Sequence, residues 1–205
     1  MKHTAMTIAA AALVLAAAMT TPGRANDFRA QGKSVSIRGS SLLVTPPRDW
    51  NTLSARPGKF AETWTLDGEQ LNDVTFYAGV EPGEPLVRER SKKRDPLPKF
   101  TASTLLIDVP ELLERTYRAA RQIGAFTVTA TTPEHFLDHD GVAFAYEYLD
   151  SDNLPRRGQA IATLVDGKLY MATFDAPRLH FYERTADDFR KLVASATLSR
   201  ETPAK

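Results

Sequence analysis

Residues 126–149 read FTVTATTPEHFLDHDGVAFAYEYL, and residues 160–174 read AIATLVDGKLYMATF. Asp140-Gly141 leads into the run 142–149, and Asp166-Gly167 joins 160–165 to 168–174. An Asp-Gly pair beside apolar, β-branched runs is a strong hairpin signal, because a tight two-residue turn needs positive φ at both positions. The stretch therefore predicts an antiparallel meander that turns at those two pairs. Val142, Phe144, Tyr146 and Tyr148 share one face, and Ala143, Ala145 and Leu149 the other, interrupted by Glu147. A sheet wetted on one face alternates cleanly, so both faces are predicted to be covered, at least in part.

Two helical patterns flank the meander. The first opens at Asp108, with Pro110 in its first turn and Glu111 three residues on. Leu112, Leu113, Thr116, Ala120 and Ile123 recur at helical spacing, Glu114, Arg115, Arg118 and Arg121 fall on the wet side, and Gly124 is the expected left-handed stop. The second is predicted to start at Thr185-Ala186-Asp187-Asp188 and to carry Phe189, Leu192, Val193 and Ala196 as its apolar stripe.

Upstream, residues 34–38 and 41–45 read as short strands, the second ended by Pro46-Pro47, and residues 48–53 read as a turn. Residues 60–66 and 71–80 read as a strand pair about a third turn, Asp67-Gly68. The predicted fold class is α+β: a mostly antiparallel sheet of about six strands with helices packed on its faces. Residues 81–99 hold Pro82, Pro85, Pro96 and Pro98 and read as a long exposed loop. Loops of that length in compact domains are often functional.

The first 25 residues carry the layout of a secretory signal peptide. Lys2 and His3 are followed by an Ala/Leu/Val run and by a polar exit that ends in Gly23-Arg24-Ala25, which places cleavage after Ala25. The apolar run is shorter than the roughly 20 residues that span a bilayer, and no spanning segment follows it. The expected organisation is a signal peptide at 1–25, a flexible leader at 26–34, one α+β domain at 35–198 and a tail at 199–205. The expected location is periplasmic or secreted.

The chain has no cysteine, so disulfides, thiolate catalysis, Cys-based zinc sites and a lipid-modified Cys are all excluded. Loss of Lys2 and Arg24 with the signal leaves the 26 bases and 25 acids of the whole chain one unit to the acid side. That balance argues against nucleic acid as a partner.

There is no Gly-x-Ser-x-Gly elbow and no phosphate-binding glycine loop. The expectation is a non-catalytic protein without a cofactor. His135, His139 and Asp140 form the one metal-like cluster. Four residues along a strand span roughly 13 Å, too far for one ion, so the geometry favours a polar hairpin rim. His180 reads as a packed or capping residue, and Trp50, Trp64, Tyr146 and Tyr148 as core rather than groove lining. Arg88, Arg90, Lys92, Lys93 and Arg94 form a basic run that holds one acid, Glu89, with Arg156-Arg157 a second small cluster. Most charge runs are solvated loops; a run that does bind suits an acidic partner or an anionic membrane surface.

The order of elements, with an early Pro46-x-x-x-Trp50, paired strands, a helix, a long meander and a final helix, resembles the PsbP/DcrB-like superfamily. Short exported proteobacterial proteins without an assigned function are nearest in layout. The resemblance spans residues 35–198 and implies a PsbP-like α/β/α sandwich whose members dock on other proteins. It supplies no catalytic residues. The function expected on these grounds is an exported, non-catalytic binding or accessory protein of the bacterial cell envelope, with another envelope protein as its partner. The alternative is a periplasmic metal-binding protein or metal-dependent enzyme that uses His135 and His139.

Overall fold

The computed structural model describes residues 28–199 apart from Arg56 and Lys92. The expected signal peptide, its cleavage after Ala25 and most of the tail lie outside the described residues. So does Lys92 of the basic run.

An antiparallel sheet of eight strands forms the body, in the order β1-β4-β5-β6-β10-β9-β8-β7. The strands are β1 (Phe28–Arg29), β4 (Trp50–Thr52), β5 (Ala61–Thr65), β6 (Asp73–Val80), β7 (Phe126–Phe136), β8 (His139–Leu149), β9 (Pro155–Val165) and β10 (Lys168–Pro177). The expected six strands become eight because two short runs join the edge. Residues 48–53, expected to turn, supply β4, and the leader supplies β1, which pairs with it at Phe28↔Asn51 and Arg29↔Trp50. Glu62 Oε1 fastens that edge: it accepts from Arg29 Nη2 and from Trp64 Nε1, both at 2.7 Å. The two short strands expected at 34–45 do form, as β2 (Val35–Ser36) and β3 (Leu42–Val44). They leave the main sheet and build a three-stranded sheet with β11 (Thr197–Leu198).

The meander is β7 to β10, with one turn displaced from the expected position. The hairpin between β7 and β8 turns at Leu137-Asp138, whose φ values are 56° and 62°. Asp140-Gly141 lies inside β8, opposite His135 and Glu134. Gly141 is required there for close approach: an added Cβ would stand 2.5 Å from the Ala162 carbonyl oxygen. Asp166-Gly167 turns as expected, with φ of 49° and 72°.

Each face of the sheet has its own core. On one face α1 (Val109–Arg121) lays Val109, Leu112, Leu113 and Tyr117 against Val142, Phe144, Tyr146 and Tyr148. Its left-handed cap is Gln122, φ 55°, two residues before the expected Gly124. On the other face α2 (Phe181–Ala194) and the small sheet cover Trp50, Trp64, Phe76 and Phe174. Helix α2 starts one turn before the expected cap, so Thr185 is a buried residue inside it rather than its start. Burying a large apolar side chain is worth about 1.5–3 kcal/mol, so these two clusters outweigh the short edge pairings. Leu86 and Leu97, both buried, anchor the 81–99 loop over the α1 face.

Candidate functional site

At one end of the sheet the α1 face changes from apolar to polar. Asp73 opens β6, Asp175 lies near the end of β10, Arg156 opens β9 and Tyr148 nearly closes β8. All four are buried. Asp73 and Asp175 are register partners on adjacent strands. Asp175 Oδ2 accepts the hydroxyl of Tyr117 at 2.6 Å and that of Tyr146 at 3.1 Å. Burial, and then the Asp175 charge, push the Asp73 carboxyl up to about 7. Burial also raises the Tyr117, Tyr146 and Tyr148 phenols, so they stay protonated; Tyr117 and Tyr146 donate to Asp175.

Above this polar floor lies a cleft of about 860 Å³. Its walls are the end of α1 with Arg121, the turn before β6 with Glu69, the β8–β9 turn with Asp150, and the loop carrying Arg88, Arg90 and Arg94. Arg156 and Asp73 line its floor. Arg156 donates from Nη1 to the Gln70 carbonyl at 2.9 Å, while Asp73 and Asp150 stand 3.9 and 4.0 Å away. Its Nε–H, and Asp73 Oδ1, have no protein partner. Arg121 lies 4.0 Å from the Tyr117 ring centroid and donates to the Tyr148 hydroxyl at 2.8 Å. Among the described residues Arg88, Arg90 and Arg94 form no ion pair. The cleft is thus lined by both basic and acidic side chains. Its lining includes one serine, Ser151, and no histidine, cysteine or lysine.

Three of the five bases expected at the contact surface, Arg88, Arg90 and Arg94, thus reach the cleft, whereas Lys93 is exposed and outside its lining. Arg156 joins them and Arg157 turns away to Glu183, at 3.4 Å. Asp73 and Asp175 escaped the sequence reading. Their only signal is an acid inside an otherwise apolar strand, and each falls at a strand end, where acids are common.

The His135 cluster lies far along β7 at the hairpin tip. His135 Nδ1 is 3.4 Å from Asp140 Oδ1, with both side chains over four-fifths exposed. The hairpin puts His139 on the opposite strand, where its Nδ1 lies 2.6 Å from the Leu137 carbonyl oxygen. Among the described residues no group of three His, Asp or Glu side chains is placed to hold a metal ion. His180 is the exposed residue before α2, with φ 70° and no side-chain cap bond. Trp50, Trp64 and Tyr146 are core, and Tyr148 lines the cleft. A second groove of about 660 Å³ runs between α2 and the β7–β9 face, lined by Phe136, Leu137, Ile161, Phe189 and Val193 among others. No helix among the described residues is long and apolar enough to cross a membrane.

No protein-family model matches the sequence, and no curated protein matches it. Solved structures do. Cyanobacterial PsbP (CyanoP) of Synechocystis sp. PCC 6803 superposes with a TM-score of 0.56 at 15% identity, over 87% of this chain and 96% of its own. A Bacteroides thetaiotaomicron protein gives 0.50 at 11% identity, over 85% of this chain and 51% of its own. The Saccharomyces cerevisiae Ran-binding protein Mog1p gives 0.47 at 8% identity, over 81% of this chain and 94% of its own. At such identities the likeness is one of fold, and the fold of this chain is PsbP-like.

Proposed function

We propose that this protein is a non-catalytic binding module of the bacterial cell envelope, exported by its signal peptide, and that it engages an envelope partner through the arginine-walled cleft. The observation that carries the reading is the convergence of Arg88, Arg90 and Arg94 with Arg121 and Arg156 around one cavity. A solvated loop would leave its arginines scattered. Here Leu86 and Leu97 pin the loop on either side of the basic run. Arginine forks recognise carboxylates and are favoured at interfaces. The resemblance to docking proteins of the PsbP/DcrB-like superfamily points the same way.

The test is affinity purification from solubilised envelopes, wild type against the triple variant Arg88→Ala, Arg90→Ala, Arg94→Ala. A partner retained by the wild type and lost by the folded variant supports the reading. A partner retained equally by both overturns it. The alternative metal reading has one contact in its favour, His135 to Asp140 at 3.4 Å. Stoichiometric zinc in the purified protein, lost on His135→Ala, would restore it.

A further inference from the structure

We propose that the floor of the cleft binds an oxyanion, the carboxylate or phosphate group of a ligand, between the guanidinium groups of Arg121 and Arg156. This rests on reading the cleft as the binding site and names the chemistry it takes.

Arg156 is the first reason. Its side chain is 5% exposed, yet only one of its hydrogen bonds to protein is short, the one to Gln70. The carboxylates of Asp73 and Asp150 stand at 3.9 and 4.0 Å, beyond hydrogen-bond reach, and Nε–H has no partner. A guanidinium presents five N–H donors, and a buried donor left open is costly. Arg121 is the second. Among the described residues it has no carboxylate in hydrogen-bond contact: its contacts are the Tyr148 hydroxyl and the Tyr117 and Tyr148 rings. Two guanidiniums, one from α1 and one from β9, thus flank Tyr148 without a carboxylate in hydrogen-bond contact with either. An oxyanion between them would receive charge-assisted bonds from both.

The nearby acids do not already occupy this role. Asp150 accepts the N–H groups of Asp152 and Leu154 in its own turn. Asp175 lies beneath, holding the Tyr117 and Tyr146 hydroxyls. Glu69, Asp95 and Asp152 are exposed and line the same cleft as Arg88, Arg90 and Arg94. Asp73 remains. It faces Asp175 on β10, Arg156 on β9, Arg121 on α1, Glu69 in the preceding turn, and the Tyr77 and Tyr148 phenols. Its carboxyl is held near 7 by burial and by Asp175, so below neutrality it carries a proton and adds a donor to the floor. Anion binding therefore takes up a proton at Asp73.

The test is calorimetric titration with sodium sulfate and with sodium acetate, oxyanions whose charge is constant over this range, at fixed ionic strength, at pH 6 and pH 8. Sedimentation with phosphatidylglycerol or phosphatidylcholine vesicles forms a second arm. Saturable binding is expected, about tenfold tighter at pH 6, the ratio of protonated Asp73 at the two pH values for a midpoint of 7. Arg121→Gln, a change at an exposed residue, should weaken binding at least about tenfold. Asp73→Asn should keep binding and abolish its pH dependence. Binding to phosphatidylglycerol vesicles alone, lost in Arg121→Gln, would assign the oxyanion to a lipid headgroup; binding to the soluble anions would assign it to a free ligand. No binding in either arm, or binding unchanged by Arg121→Gln, overturns the proposal. If the loop-dependent envelope partner persists in that case, the docking reading stands without it.

Discussion

Asp73 and Asp175 stand directly opposite one another on adjacent antiparallel strands, both buried, and their surroundings differ. Asp175 takes two tyrosine hydroxyls on Oδ2, whereas the nearest base to Asp73 is Arg156 at 3.9 Å; the Oδ1 of each carboxyl has no protein partner. Two adjacent buried carboxyls do not both ionise easily, and the one with fewer donors holds its proton longer.

That asymmetry makes stability depend on pH with a definite sign. The folded-state value for Asp73, about 7, lies above the ordinary carboxylate value. Its stabilising contribution is therefore full below about pH 4 and is lost as pH rises through about 7, with a ceiling of about 1.4 kcal/mol per unit. Asp73→Asn should remove this loss. In urea unfolding from pH 5 to 8, the variant should gain on the wild type as pH rises, and parallel curves would refute the assignment.

Tyr117→Phe should leave Asp175 one short bond poorer in a site with no exposure to water. The expected cost is about 1.5–3 kcal/mol, the range for a hydrogen bond to a charged group. Tyr117 also meets the rings of Phe126, Tyr146 and Tyr148 edge-on, and the Phe variant keeps that packing. Tyr117→Leu should therefore cost more, by roughly 0.5–1.5 kcal/mol for the lost ring contacts. Chemical denaturation of the pair separates the two contributions.

Gly158 lies opposite Tyr146 in the sheet, and a Cβ there would run into the Tyr146 ring. Gly158→Ala should displace that ring, loosen its bond to Asp175 and cost about 1–3 kcal/mol by overpacking. The near-ultraviolet circular dichroism of the tyrosine cluster should change while the far-ultraviolet spectrum stays. An unchanged near-ultraviolet spectrum would contradict the packing.

Arg29→Ala should release β1 from Glu62. Loss of a half-buried, charge-assisted pair is expected to cost about 1–2 kcal/mol. Trp64 shares the same Glu62 oxygen, so its fluorescence should report the change.

The meander, the α1 stripe and the two-sided burial were legible because periodicity reports them directly. Val142, Phe144, Tyr146 and Tyr148 alternate in the sequence and pack on α1 as that alternation requires. The edge strands were not legible, because two or three residues such as Phe28 and Arg29 carry no period, and only pairing with β4 makes them a strand. Asp140-Gly141 misled because the turn signal is local. The chain instead turns at Leu137-Asp138, and Gly141 serves the close approach of the Ala162 backbone. The loop arginines could be named from the charge run alone. That they meet Arg121 and Arg156 depends on the 81–99 loop folding back over the α1 face, and the Asp73–Asp175 pairing depends on β6 lying beside β10. Neither long-range relation leaves a mark in local sequence.

The most direct measurement of the central reading is site-specific photo-crosslinking in intact cells, with the reactive residue placed at Arg90 and at Asp152 on the cleft, and at Asp138 and Ala194 along the α2 groove. One common adduct is expected from Arg90 and Asp152, absent from the other two positions and lost when Arg88→Ala and Arg94→Ala are combined. Adducts from Asp138 or Ala194 with none from the cleft would contradict it and move the binding surface to the opposite face.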